Sequence, residues 1–109
     1  MAIIYKVLGQ IIPAINTDTT LYTVPANTSS VCSTLVICNQ AATGATFRIA
    51  IRPGGETLAT KHYISYDANL NANDSITLTI GITLAATDVI TVRANSATVS
   101  FNLFGSELT

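Results

Sequence analysis

Charge is what this chain has least of. Asp, Glu, Lys and Arg together make up 10% of its 109 residues, against roughly 25% in ordinary soluble domains. The five basic residues, Lys6, Arg48, Arg52, Lys61 and Arg93, are scattered, and the net charge is −1. A nucleic-acid surface needs clustered Lys and Arg against the phosphates, so no nucleic-acid partner is expected. There is no Trp, and there is one His. Every general-base or Ser/Cys–His scheme therefore rests on His62. No G-x-S-x-G turn accompanies it. The two cysteines, Cys32 and Cys38, match no zinc spacing. No apolar run reaches the ~20 residues that span a bilayer; the longest candidate, residues 76–90, is broken by Thr77, Thr79, Gly81, Thr83 and Asp88. The opening MAIIYK lacks the basic and apolar regions of an export signal. The expectation is a chain made in a cytoplasm and kept there, or released inside a larger particle, without a membrane partner.

What fills the space left by charge is Thr, Ser, Asn and Ala arranged around alternating apolar residues. Period-two alternation marks strands with one face buried. Residues 75–104 show it most clearly, in three runs separated by short Ala/Thr/Asp and Ala/Asn/Ser breaks. Along the chain about eight short strands are expected. The first covers residues 4–8 and closes at Gly9; the second covers 21–24 and ends at Pro25. Residues 31–38 form the most apolar strand, with Val31, Leu35 and Ile37 on one face and Cys32, Val36 and Cys38 on the other. Apolar character on both faces points to a central strand covered on each side. On that reading the two thiols sit roughly 20 Å apart, far beyond the ~7 Å Cα spacing of a disulfide. Both are then buried and free.

Phe47, Ile49 and Ile51 alternate with Arg48, Ala50 and Arg52, giving a half-buried strand with one basic face. Pro53-Gly54-Gly55 is the strongest breaker. Residues 58–66 continue as a strand, and 67–74 form a polar loop. Ile76, Leu78, Ile80 and Ile82 share a face, and Gly81 among them marks a bulge. Residues 88–94 and the run of Val99, Phe101 and Leu103 complete the set. Only residues 55–61 and 84–87 have room for a turn or two of helix. Strands at intervals of roughly 8–12 residues give an all-β class, an antiparallel β-sandwich of immunoglobulin-like or jelly-roll-like type. Residues 1–109 make one domain, with 1–14 as an N-terminal arm or edge strand.

Candidate sites are few. His62 reads as a strand residue at an edge or interface. Asp67-Ala-Asn69-Leu-Asn71 opens like a calcium loop, but Ala72 and Leu78 stand where glycine and the closing acid belong, so no metal or cofactor is expected. Arg48 and Arg52 project from one strand face and can meet acids on a partner. Tyr5, Tyr22, Tyr63 and Tyr66 suit interfaces, because tyrosine buries area while keeping a polar tip. The expected partner surface therefore comprises Tyr5, Arg48, Arg52, His62, Tyr63 and Tyr66.

The segments YKVLGQ with Pro13, LYTVP, VCSTLVICN, FRIAIRPGG, KHYISYD, GITLAATDVITV and VSFNLFGSEL together resemble small virion proteins of tailed phages, including those of cyanobacteria. The resemblance implies a β-sandwich subunit of the particle, located in the virion and without enzymatic activity. A low-charge β-module with an N-terminal arm fits a capsid decoration or cement protein. Such a protein binds the major capsid protein, or other virion proteins, as a homo-oligomer, most simply a trimer. A tail, baseplate or fibre-associated module is the alternative, and a carbohydrate-binding module a third.

Overall fold

The computed structural model describes residues 2–109. It contains eight strands: β1 (Ile3–Ile11), β2 (Thr19–Thr23), β3 (Ser29–Asn39), β4 (Ala45–Arg52), β5 (Tyr63–Leu70), β6 (Ser75–Leu84), β7 (Val89–Ala94) and β8 (Val99–Leu108). Every pairing is antiparallel: β1 with β8, β2 with β7, β3 with β6 and β4 with β5. These pairs are nested, as if one long hairpin had been rolled up. The further pairings β3–β8 and β4–β7 close it into two four-stranded sheets, ordered β1-β8-β3-β6 and β2-β7-β4-β5. Of the two sandwich types expected, this is the eight-stranded jelly-roll order and not the seven-stranded immunoglobulin one.

The core lies between the sheets. Leu35, Ile37, Phe101, Leu103 and Val99 point in from one; Phe47, Ile49, Ile90 and Val92 point in from the other. Phe47 and Phe101 meet across it edge-to-face, ring centres 6.3 Å apart. Alternation predicts these inward positions because successive side chains on a strand take opposite faces.

Bulges break that simple parity. In β3 the pairing skips Ser33 between Cys32 and Thr34, against both neighbours. One extra residue inverts the face of everything beyond it. Ser30 and Cys32 therefore point inward before the bulge, and Leu35, Ile37 and Asn39 after it. This corrects the expectation for the two thiols and for Val31. Cys32 is fully buried, whereas Cys38 is half-exposed and Val31 is exposed on the outer face. β3 is central, as expected, but among the described residues no second layer covers its outer face. Opposite Ser33, β6 carries two residues, Ile80 and Gly81, with Gly81 at φ +56°, so the bulge expected at Gly81 is there.

Several boundaries also differ. β1 runs through Gly9 to Ile11, with its pairing shifted between Val7 and Gly9. β5 begins only at Tyr63 and continues to Leu70, so Asp67 to Leu70 are strand and not loop. Composition misled here, because Asp and Asn are depleted in strands. The residues ahead of β5 make 3-10 turns at Pro53–Gly55 and Thr60–His62 instead of extending the strand.

Gly105 of β8 pairs with Cys32, beside the bulge of β3. A Cβ there would overlap the Val31 carbonyl oxygen and lie 3.0 Å from the Cys32 Cα. Backbone cannot yield as a side chain can. Gly105→Ala should therefore cost about 3 kcal/mol or more, read by urea unfolding. Gly44→Ala, whose Cβ meets only the Leu70 oxygen at 3.6 Å, should stay within about 0.5 kcal/mol of the parent.

Candidate functional site

The outer face of the second sheet carries the most organised surface group. Its seat is a bulge in β5. Ala68 pairs with Phe47 and Ser65 with Ile49, so Tyr66 and Asp67 together stand opposite the single residue Arg48. Asp67 takes a left-handed backbone, φ +51°, which is uncommon for a residue other than glycine. The consequence is that two side chains reach one guanidinium. Arg48 Nε donates to Asp67 Oδ1 at 2.7 Å and its Nη2 to Oδ2 at 3.2 Å. The same guanidinium carbon lies 4.1 Å from the Tyr66 ring centre and 6.0 Å from that of Tyr63. Tyr63 and Tyr66 pack edge-to-face at 4.9 Å. Tyr66 is 58% exposed.

The charges on this face run acid, base, base, acid: Asp18 just ahead of β2, Arg93 of β7, Arg48 of β4 and Asp67 of β5. Arg93 of β7 is paired directly with Arg48 of β4, a like-charge pair that is unfavourable alone. Each has its own acid on the far side, Asp67 for Arg48 and Asp18 for Arg93, the latter at 3.5 Å. The bond from Arg48 holds the Asp67 carboxyl below its ordinary range. A notch of about 20 Å³ among Asn16, Thr46, Arg48, Asp67, Arg93 and Asn95 has room for a water-sized group and little more. The face is open and shallow and not a cleft.

The remaining expected interface residues lie elsewhere. Arg52 shares the strand face of Arg48 but is turned into its own loop, donating to the Glu56 and Gly55 carbonyls at 2.6 and 3.1 Å and to Thr91 Oγ1. Ala50 and Thr91 on that face are buried, so the face is not evenly solvated as alternation implied. His62 is neither in a strand nor at an exposed edge. It is 5% exposed; its Nδ1 accepts the Ala59 N–H at 3.0 Å and its Nε2 lies 3.2 Å from Glu56 Oε1. Both ring nitrogens are therefore occupied. Tyr5 lies on the other sheet, 83% exposed, and is not brought together with the rest.

A polar group that the sequence reading missed joins the two sheets. Tyr22 of β2 donates its hydroxyl to Glu107 of β8 at 2.5 Å and lies 2.7 Å from Ser30 Oγ of β3. Lys6 Nζ completes the carboxylate at 3.3 Å. A bulge after Thr20 turns both Leu21 and Tyr22 inward. The Tyr22 hydrogen bond, followed by Lys6, lowers the Glu107 pKa from its ordinary 4.5. Burial first, then Glu107, raises the Tyr22 pKa, which keeps the phenol a donor. Burial also pushes Cys32 nearby up to about 11. One signal was available: continuing the inward parity of Val99, Phe101 and Leu103 places Glu107 on the core face.

No family model matches this chain, and no curated protein matches it. One solved structure, described as that of infectious bursal disease virus Gx strain, is similar over 97% of this chain with a TM-score of 0.49 and 13% identity. This chain spans 32% of that one, and a likeness of that order assigns no function.

The buried bond predicts a pH dependence. A carboxyl whose folded-state pKa is lowered stabilises above its unfolded value, and that contribution is lost as pH falls through the folded pKa. Thermal melts should therefore show stability declining below about pH 4.5. Glu107→Gln should be less stable at pH 7 and show a shallower acid decline. Tyr22→Phe, which leaves Glu107 and Ser30 short of a partner, should cost about 1–3 kcal/mol.

Proposed function

We propose that this chain is a non-enzymatic structural subunit of a bacteriophage virion, a capsid decoration or cement protein that binds and stabilises a shell of major capsid protein. The observation that carries the reading is the Arg48–Tyr66–Asp67 platform. A strained bulge on an edge strand is spent on presenting an arginine, an acid and two aromatics to the outside. Arg and Tyr are the residues that most often dominate protein interfaces. The jelly-roll order supports it as an analogy, since that architecture recurs in viral capsid and lectin domains, though fold alone does not decide function. The low charge supports it too, because such a surface does little to keep copies and partners apart. A trimer assembled on a three-fold shell site would bring three platforms to it.

A tail, baseplate or fibre-associated module is the second reading. The exposed Tyr63–Tyr66 pair beside Arg48 and Asp67 favours it where the partner is a sugar, since aromatic faces with nearby polar groups also suit glycans.

Quantifying the chain in purified particles separates these readings. Copy number in proportion to the major capsid protein, retained on empty heads, is the expected outcome; presence in tail fractions alone would sink the cement assignment. Arg48→Ala and Tyr66→Ala should weaken particle binding tenfold or more with little change in melting temperature, because the exposed ion pair contributes little to stability. Glycan binding lost on Tyr66→Ala, with particle binding intact, would favour the second reading.

A further inference from the structure

The exposed edge of β1 has the geometry of a contact with a second copy of itself. Ile3, Ile4, Tyr5 and Val7 are 49%, 52%, 83% and 45% exposed, so this stretch is apolar and uncovered on both faces. β1 is an outer strand of its sheet, held on one side only by β8. Unpaired edges are templates for another strand, and proteins normally blunt them with bulges or charge. The edge strand β5 has two bulges. Residues Ile3 to Val7 have none, since the β1 shift comes only after Val7. Their one charge, Lys6, is tied to Glu107 within the chain.

Register makes the edge self-complementary. Ala2 and Thr109 exchange both backbone hydrogen bonds, at 3.1 and 3.0 Å. Along an antiparallel pair such exchanges alternate, so Ile4 and Lys6 face β8 with their peptide groups. Ile3, Tyr5 and Val7 turn theirs outward. We propose that two copies pair antiparallel through β1 about a two-fold axis at Tyr5, joining two four-stranded sheets into one. Tyr5 then pairs with Tyr5 of the second copy, and Ile3 with Val7, each through outward-facing backbone groups. On the opposite face Ile4 meets the stem of Lys6, so no two lysines oppose each other. Exposed Val31 and half-buried Phe104 continue the apolar stripe inward from Tyr5. The occupant is a second copy because the patch is apolar, has its one charge already paired within the chain, and is matched to its own reverse. This contact stands independently of the virion reading. It is small against the ~800 Å² per partner of a standard interface, so the dimer should dissociate at about micromolar dilution.

Sedimentation analysis across concentration tests it. The parent protein should pass from monomer to dimer, and Tyr5→Lys should stay monomeric with an unchanged melting temperature. In a Cys38→Ser background, Tyr5→Cys should form a disulfide-linked dimer on mild oxidation, because paired Cα atoms ~5.5 Å apart lie within disulfide range. Ser33→Cys in that background should not. A strict monomer, a trimer alone, a ladder of sizes from pairing with β6, or a dimer that survives Tyr5→Lys would each overturn the proposal.

Discussion

The extra residue at Ser33 is the constraint on which the rest of the molecule depends. β3 lies between β8 and β6, and both neighbours meet its change of parity with a register shift while keeping their own. Ser30 and Asn39 have opposite parity along the chain and yet both point inward, which only a bulge between them permits. Each anchors one end of the sandwich. At one end Ser30 joins Tyr22 and Glu107. At the other, Asn39 donates to the Thr43 and Asn71 carbonyls and accepts from the Ala41 N–H and Thr98 hydroxyl. That side chain is fully satisfied and ties three loops together. The same inversion leaves Val31 outside, where it extends the apolar stripe beside Tyr5.

Strands that keep one parity throughout were legible. Phe47 and Ile49 inward with Arg48 outward, Val99, Phe101 and Leu103 inward, and the half-buried isoleucines of β6 all follow from period two. What could not be read was where parity breaks. A bulge needs no special residue: Ser33 and Leu21 give no local sign of theirs, and only Gly81 announced one. Asp67 shows the same limit at the site. As a polar residue before Asn69 and Asn71 it belongs to a loop by propensity. In the fold it lies on β5, with its carboxylate accepting from Arg48. Arg48, Tyr63 and Tyr66 could be nominated from the sequence, but their convergence could not, because it is made by the bulge. Arg52 and His62 were drawn inward by carbonyls and a carboxylate of the loop between β4 and β5, partners too local and irregular for a periodic pattern to reveal.

Two outer surfaces result, on different sheets and of different chemistry. One is a polar and aromatic platform, rigid because Arg48 is held by both an acid and a ring. The other is a bare apolar strand edge. The two share no residue: Arg48, Tyr63, Tyr66 and Asp67 make the first, and Ile3 to Val7 the second.

Nesting also sets the order in which the chain can be completed. β4 and β5 are neighbours in sequence, whereas Lys6 waits for Glu107, 101 residues further on. Closing long loops late is the slow part of such topologies. During synthesis, therefore, β1 is made early and docks last. For that interval Ile3 to Val7 have neither β8 nor a second copy beside them, with one lysine to keep them in solution. The step most exposed to misassembly is therefore the birth of the chain.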